Sequence, residues 1–266
     1  MEMLISIITV ALNSASTIED TIQSVLFQTH SDIEYIIVDG GSKDNTVSII
    51  EKYASLFKKR LKYVSESDSG IYDAMNKGLG MATGEVVGFL NSDDFFKDIH
   101  IVERIAEVFD TIETDAVFGN VLYIKNSGGR FVRSYSGKHF HPGLLKFGMM
   151  PPHPSFYMKR LCYVNGGGFN TSFRIAGDYE LLLRYFLKMN IGYQYIDLDM
   201  VVMRLGGTST KSIFSILYRN SLEIIKACRM NGVYTNWFMI LLRFCMKAGG
   251  LVKWLFIPYY VRKNDN

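Results

Sequence analysis

Hydrophobic and polar positions follow a regular order along the first part of the chain. Short apolar runs rich in β-branched residues end in polar loops, and the following segments carry apolar residues three and four positions apart. The first spacing is typical of buried strands and the second of amphipathic helices. The pattern predicts strands at Leu4–Ala11, Ile33–Val38, Leu61–Ser65 and Glu85–Leu90, and helices at Thr17–Gln28, Asn45–Phe57, Ile71–Leu79 and Ile99–Phe109.

The second part of the chain has a weaker pattern around a proline-containing stretch, His141–Pro154. It predicts strands at Ala116–Ile124, Arg130–Tyr135, Tyr193–Ile196 and Met200–Arg204, and a helix at Tyr179–Met189. Strands that alternate with helices predict an α/β fold, with a mainly parallel, Rossmann-like central sheet flanked by helices. We assign this domain to residues 1–210 and a C-terminal helical extension to residues 211–266.

Polar loops follow four of the predicted strands, at Asn13, Asp39, Asp68 and Asp93. In parallel sheets, ligands bind beyond the carboxyl ends of the strands. We therefore expect these four loops to converge on one crevice, although they are far apart in sequence.

Composition and cysteine content narrow the class of protein. The 266 residues are 48% hydrophobic, which is enough for a packed core without disulfides. Three widely spaced cysteines without a C-x-x-C pair argue against a disulfide framework and a thiolate zinc site, and favour a reducing cytosol. The N-terminal apolar run lacks a basic start and a cleavage site, so we interpret it as a strand and not as a signal peptide.

The C-terminal segment, residues 211–266, is basic and apolar. It contains nine Lys or Arg residues against two acidic residues, but no uninterrupted apolar run of about 18 residues that would span a bilayer. On a helical wheel Asn236, Arg243, Lys247 and Gly250 form a narrow stripe between apolar residues. This pattern favours a helix lying on an anionic membrane, with Trp254 at headgroup level. The alternative is packing on the domain before it, or on a second copy in a homodimer.

The sequence Asn91-Ser92-Asp93-Asp94 follows an apolar strand and is a candidate metal site. Adjacent carboxylates suit a hard divalent cation such as Mn²⁺ or Mg²⁺, which leaves positions open for phosphate oxygens. The alternative is an Asx turn before the next helix.

Two other loops are candidates for nucleotide binding. Asp39 can accept a hydrogen bond from a base N–H, and Gly40 and Gly41 allow close approach of the backbone. Asp68 precedes a helix whose N-terminus favours anions, and Lys77 on that helix adds charge for a diphosphate. An ordinary turn and an ordinary amphipathic helix explain the same residues.

Residues near the second half of the domain are candidates for the acceptor side. Asp178 begins a predicted helix, where it is either an N-cap or a general base. His153 lies between prolines and either contacts the acceptor or has a structural role. Ser209 belongs to the glycine-containing segment 206–209, a candidate lid over a pyrophosphate.

Two familiar nucleotide-binding motifs are excluded. The glycines at Gly78, Gly80 and Gly84 follow a predicted helix and precede a strand, which is the reverse of a Rossmann turn. The chain also has no P-loop sequence. These observations disfavour a dehydrogenase and an ATPase.

The order of the motifs resembles the family 2 glycosyltransferases with the GT-A fold, and most of all the bacterial members that build surface polysaccharides. The matching segments, which fall within about residues 3–210, are S-I-I-T-V-A-L-N-S, V-D-G-G-S-K-D-N-T, S-D-S-G-I-Y-D-A-M-N-K-G, A-T-G-E-V-V-G-F-L-N-S-D-D, H-P-S-F-Y, G-G-F-N and G-D-Y-E-L-L-L-R.

The resemblance implies a role for each matching position. Donor nucleotide contacts are implied for Thr9, Asn13, Asp39, Asp68, Lys77, Asn91 and Ser92, metal binding for Asp93 with Asp94 beside it, and general-base catalysis for Asp178. Acceptor or lid contacts are implied for His153, Glu180, Arg184 and Ser209. Asn91 replaces the first Asp of the D-x-D found in many members, and Gly177 replaces a Glu that many members have before the base.

The function expected from these features is inverting transfer of a sugar from a nucleotide-sugar, with UDP as the expected nucleotide. The expected acceptor is a hydroxyl of a glycan or lipid-linked sugar in surface-polysaccharide synthesis, at the cytoplasmic face of the plasma membrane and without nucleic acid. A sugar nucleotidyltransferase is one alternative, although the loop after the first strand lacks the basic, glycine-rich sequence such an enzyme needs. An inactive membrane-attached scaffold is the other.

Overall fold

The computed structural model describes residues 3–125, 131–205 and 213–249. Its strands are β1 (Ile5–Ala11), β2 (Ile33–Asp39), β3 (Leu61–Ser65), β4 (Val86–Phe89), β5 (Phe95–Phe96), β6 (Ala116–Lys125), β7 (Phe131–Tyr135), β8 (Phe156–Lys159) and β9 (Tyr193–Leu205). Its α-helices are α1 (Ile18–Leu26), α2 (Thr46–Ala54), α3 (Ile71–Met81), α4 (Ile101–Thr111), α5 (Arg160–Gly166), α6 (Gly177–Arg184), α7 (Ile213–Met230) and α8 (Trp237–Gly249). A π-helical turn, Tyr185–Met189, continues α6.

The strands form one mixed sheet in the order β3-β2-β1-β4-β8-β6-β9-β5, with β7 paired to β6. The parallel pairs are β1 with β2, β1 with β4, β2 with β3, and β6 with β9. Because β8 is antiparallel to both β4 and β6, strand β6 runs in the same direction as β1 to β4. The predicted α/β fold with a mainly parallel central sheet is confirmed, and the carboxyl ends of the parallel strands share one edge.

Strand β8 and helix α5 are absent from the sequence-based prediction. Strand β8 has four residues and follows a short helical turn, His153–Ser155, that contains Pro154. So short a strand has too few positions to show a period. The two strands predicted between Tyr193 and Arg204 form the single strand β9, whose pairing with β6 contains register shifts.

The sheet is covered on both faces, which explains the unbroken apolar runs of its central strands. Alternate residues of β1 enter different cores: Ile5 and Ile7 pack in one hydrophobic cluster, and Ile8 and Val10 in the other. All seven residues of β1 and all seven of β2 are buried. The sheet is therefore a rigid support for the loops at its edge.

Helices α7 and α8 pack on this domain. Ile224, Ala227 and Cys228 of α7 and Ile240 of α8 belong to the same cluster as Ile8. The Glu223 carboxylate accepts hydrogen bonds from the backbone N–H groups of residues 174–176, which precede α6. Within the described residues, no helix combines the length and the apolar character needed to cross a bilayer. The described part of the C-terminal extension is thus attached to the α/β domain through core contacts.

Candidate active site

A cavity of about 590 Å³ lies at the carboxyl edge of the parallel strands. We call it the donor cavity. Its polar lining comes from the loop after β1, the loop before α3, the loop after β4 and the end of β9, through Asn13, Ser14, Asp68, Asn91, Ser92, Asp93 and Arg204. The predicted convergence of the loops at Asn13, Asp68 and Asp93 is observed.

The loop after β2 supports the donor cavity from behind. The Asp39 side chain is fully buried, and its carboxylate accepts hydrogen bonds from Ser65 Oγ at 2.7 Å, from the Ser42 backbone N–H at 2.9 Å and from Ser42 Oγ. Ser42 Oγ in turn accepts a hydrogen bond from the Asn13 N–H at 2.7 Å. Asp39 is therefore not among the residues that line the cavity, and in this structure it fixes the loop that carries Asn13.

Asp68 lines the donor cavity at the start of α3. Its Oδ1 accepts a hydrogen bond from the Gly70 N–H at 2.8 Å, and a side chain on Gly40 would collide with its carboxylate. Lys77, on the same helix, pairs with Glu66 at 2.8 Å and is not among the lining residues. The glycine at position 40 thus makes room for Asp68, and Lys77 lies outside the cavity wall.

The loop after β4 carries two adjacent carboxylates that differ in burial. Asp93 is half-buried and lines the donor cavity, whereas Asp94 is 1% exposed. Burial, followed by the nearby charge of Asp93, raises the pKa of Asp94 to about 8. Asn91 donates to one Asp94 oxygen at 3.1 Å, and the other oxygen has no hydrogen-bond partner.

These residues fit a magnesium or manganese ion with few protein ligands. A buried carboxylate oxygen without a partner is unusual, and Asp93 supplies a second oxygen donor facing the cavity. Such ions are often held by one or two carboxylates together with substrate phosphates and water. Within the described residues, no group of three or more His, Cys, Asp and Glu side chains could hold a metal ion by itself. The remaining ligands would be substrate phosphates and water.

Arg204 lines the donor cavity and was not among the residues predicted from the sequence. Its guanidinium donates to the Asp93 carbonyl at 2.9 Å, pairs with Asp20 and stacks on Phe95 at 4.7 Å. A planar cation held in this way is suited to bind phosphate oxygens. The sequence signal was its position at the carboxyl end of the last predicted strand.

Asp178 lines a second cavity, of about 200 Å³, which we call the acceptor cavity. Its Oδ1 accepts a hydrogen bond from the Tyr179 N–H at 2.8 Å and lies 3.4 Å from Tyr72 Oη, which donates to the Ile175 carbonyl at 2.7 Å. The other lining residues are Tyr135, Gly148, Met150, Ile175, Tyr179, Leu217, Asn220, Ile224 and Arg243.

Helix α3 connects the donor and acceptor cavities. Ile71 lines the donor cavity, and the next residue, Tyr72, places its Oη 3.4 Å from Asp178 Oδ1 in the wall of the acceptor cavity. Burial, and then the neighbouring Tyr123, raises the pKa of Tyr135, which also lines the acceptor cavity, to about 12, and the Asp178 carboxylate acts in the same direction. The two cavities are therefore neighbours at the N-terminal end of α3.

The structure explains the glycine before Asp178. A Cβ on Gly177 would lie 2.6 Å from the Tyr72 ring, which stacks on Phe169. A glutamate at this position would displace that ring. Gly177 therefore leaves the space that the Tyr72 ring occupies next to Asp178.

Four further candidate residues, Thr9, His153, Glu180 and Arg184, line neither cavity. Thr9 is buried and shares a hydrogen bond with Tyr35 Oη at 3.0 Å. Glu180 pairs with Arg184 at 3.2 Å, and Arg184 also donates to the carbonyls of residues 166–168. His153 is buried against Phe89, and burial lowers its pKa, opposed by the charge of Asp178. Ser209 lies outside the described residues.

Several known proteins are similar to this chain. Residues 6–175 match the model of glycosyl transferase family 2. A PGL/p-HBAD biosynthesis glycosyltransferase of Mycobacterium bovis is 31% identical over 192 residues, which are 72% of this chain and 73% of that protein. An uncharacterized glycosyltransferase of Nostoc sp. is 43% identical over 115 residues, or 43% of this chain and 35% of that protein.

Solved structures share the fold at low sequence identity. Staphylococcus aureus TarS, residues 1–349 in complex with UDP-GlcNAc, is 17% identical with a TM-score of 0.66, covering 96% of this chain and 77% of that chain. The mannosyltransferase PcManGT of Pyrobaculum calidifontis, in complex with GDP-Man and Mn²⁺, is 18% identical with a TM-score of 0.61, covering 92% and 70%. The chain therefore belongs to glycosyl transferase family 2 and has the GT-A fold.

Proposed function

We propose that this protein transfers a sugar from a UDP-sugar to an acceptor hydroxyl with inversion at the anomeric carbon, in a reaction that depends on a divalent metal. The observation that carries the proposal is the arrangement of the two cavities. Asp68, Asp93 and Arg204 line the donor cavity, and the neighbouring acceptor cavity contains Asp178. A diphosphate leaving group and an attacking hydroxyl need these two kinds of site side by side.

The donor cavity would hold the nucleotide diphosphate. Asp93 and Asp94 would hold Mn²⁺ or Mg²⁺, which when bound neutralises the charge of the leaving diphosphate. Arg204 is placed to bind the same phosphate oxygens, because its guanidinium is fixed by the Asp93 carbonyl and Asp20. Asn13 and Asp68 also line this cavity and would contact the nucleoside.

The acceptor cavity would supply the general base. Asp178 takes the proton from the acceptor hydroxyl while the oxygen forms a bond to the anomeric carbon and the bond to the diphosphate breaks. One displacement of this kind inverts the configuration at that carbon. The Tyr179 N–H holds the Asp178 carboxylate in place on its Oδ1 side.

A screen of nucleotide-sugars for release of nucleoside diphosphate tests the proposal. We expect UDP release from one UDP-sugar in the presence of Mn²⁺ or Mg²⁺, and loss of release with EDTA. Asp93→Asn should reduce release by about a hundredfold or more, since electrostatic stabilisation of a leaving group commonly contributes that much. Asp110→Asn, on the exposed end of α4, is the matched control and should behave as the wild type. Equal rates for Asp93→Asn and the wild type would contradict the metal assignment.

We further propose that the protein binds to the cytoplasmic face of an anionic membrane through α7 and α8. These helices expose an apolar face, formed by Leu217, Tyr218, Leu222, Trp237, Phe238 and Leu241. Tyr218 and Trp237 stack with ring centroids 5.7 Å apart, so the face is continuous across both helices. Exposed Arg219 and Arg229 on α7 add positive charge, and the sequence beyond residue 249 is again apolar and basic. This composition is typical of helices that lie in a membrane interface.

Vesicle flotation tests the membrane proposal. The wild type should float with vesicles of phosphatidylcholine and phosphatidylglycerol and less with phosphatidylcholine alone. A double variant, Phe238→Ser with Leu241→Ser, should lose most of this binding, because Phe238 is 70% and Leu241 57% exposed. Leu56→Ser, equally exposed at 53% but on the turn after α2, is the control. Unchanged flotation of the double variant would reject this face as the membrane contact.

A further inference from the structure

The acceptor cavity contains an arginine that the proposed reaction does not use. Arg243 of α8 lines this cavity together with Asp178, although its side chain is only 4% exposed. Burial lowers the pKa of Arg243. Burying a guanidinium costs free energy unless hydrogen bonds compensate it, and Arg243 has such contacts. What its position adds is a cation in the wall of the cavity that contains the proposed base.

Helix α8 buries one charged side chain and exposes two large apolar ones. Ile240 and Arg243 face the domain, whereas Phe238 and Leu241 face outward. The polar stripe predicted from the sequence thus turns inward at Arg243. This packing places the Arg243 cation, and not an apolar side chain, against the acceptor cavity.

Two neighbours position the guanidinium. Arg243 Nη2 donates to Ser221 Oγ of α7 at 3.0 Å. Gly148 lies opposite, with φ of +71°, and a Cβ there would approach Arg243 Nη1 to 3.2 Å. The guanidinium therefore occupies a defined place in the cavity wall, and its Nη1 lies on the side of Gly148, itself a lining residue.

The acceptor cavity combines apolar walls with one negative and one positive side chain. Met150, Ile175, Leu217 and Ile224 form apolar walls, Asp178 carries a negative charge and Arg243 a positive one. On the basis of the proposed function, in which Asp178 takes the hydroxyl proton, we propose that Arg243 binds an anionic group of the acceptor, a phosphate or a carboxylate. Arg243 then determines specificity, because it selects acceptors whose negative charge lies close to the attacked hydroxyl.

Three small probes test this assignment. Glucose 1-phosphate carries a phosphate, glucuronate carries a carboxylate, and methyl glucoside is neutral. Each is titrated into ¹⁵N-arginine-labelled protein, with and without saturating UDP and diamagnetic Mg²⁺, and the Nε–Hε signal of Arg243 is followed. UDP binding, measured on the same samples, reports separately on the proposed function.

We expect at least one anionic probe to bind about tenfold or more tightly than methyl glucoside and to shift the Arg243 signal, as a charge-assisted hydrogen bond would. Tighter binding of glucose 1-phosphate would identify a phosphorylated acceptor, and tighter binding of glucuronate a uronic acid. Arg243→Gln should remove the preference. Arg243→Lys should keep part of it, since the charge remains.

Arg104→Gln, which removes an exposed cation on α4, is the matched control and should keep the full preference. The proposal is overturned if the wild type binds all three probes alike, or if the folded Arg243→Gln variant keeps the preference. The comparison of probes on the wild type decides the question even if Arg243→Gln does not fold. A role of Arg243 in helix packing alone would not distinguish anionic from neutral probes.

Discussion

Replacement of Asp178 by asparagine separates base catalysis from donor binding. The Asp178 carboxylate accepts a hydrogen bond through Oδ1 from the Tyr179 N–H at 2.8 Å. An asparagine can present its carbonyl oxygen to the same donor, so the fold should be kept. What it cannot do is take up the proton of the acceptor hydroxyl.

The size of the effect follows from the role of the proton transfer. A positioned general base contributes about 10²- to 10⁴-fold to the rate. This range corresponds to about 3–5 kcal/mol in the activation free energy. Asp178 lines the acceptor cavity and is absent from the lining of the donor cavity. We therefore expect kcat for transfer to fall by this factor while the dissociation constant of UDP stays within about twofold of the wild type.

The assay measures UDP release with and without acceptor, and calorimetry measures UDP binding. Asp110→Asn serves again as the control for loss of a carboxylate. A kcat for Asp178→Asn within about threefold of the wild type, with normal UDP binding and an unchanged melting temperature, would refute the assignment of Asp178 as the base. A loss of UDP binding would instead mean that the two cavities are not independent.

Three other substitutions test the structure. Glu34 is buried, which by itself raises its pKa, but hydrogen bonds from Lys62, Ser6 and Thr83 outweigh burial and lower the pKa to about 2. Its ionised form therefore stabilises the fold above about pH 4.5, and this stability is lost as the pH falls toward 2. Glu34→Gln should reduce the free energy of unfolding at pH 7 by about 3 kcal/mol. Urea titrations of this variant should show a weaker decrease of that free energy at acid pH. Arg204→Gln should weaken UDP binding about tenfold or more by calorimetry, and unchanged affinity would restrict Arg204 to holding Asp20. Gly177→Ala should lower the melting temperature by forcing the Tyr72 ring aside, and Tyr72→Leu should restore part of the loss in the double variant.

The regular half of the fold was predictable because its elements have clear periods. Strand β1 is apolar throughout since its side chains enter two cores, and α1 carries its buried residues on one face. Strand β8 was not predictable, because its four residues form a strand only through their pairing with β4 and β6. Tertiary pairing decides such short segments, and the local sequence does not.

The candidate site shows the same limit. The positions of Asn13, Asp68 and Asp93 at one crevice follow from strand order and were predicted. Asp39 accepts a hydrogen bond from Ser65, 26 positions away, which the local sequence does not show, and its contact with a base stays a prediction. Arg243 was placed on a polar stripe of a helix that lies either on a membrane or on the domain, and it is buried. A helical wheel separates the two sides of a helix but does not say which side faces the protein.

The acceptor cavity has a consequence for how the protein matures on the ribosome. The donor cavity is built from residues no later than Arg204, whereas the acceptor cavity needs Arg243 near the end of the described chain. All lining residues of the donor cavity therefore leave the ribosome before the last lining residue of the acceptor cavity. Exchange of α7 and α8 between relatives should accordingly alter which molecules receive the sugar while leaving the choice of nucleotide intact.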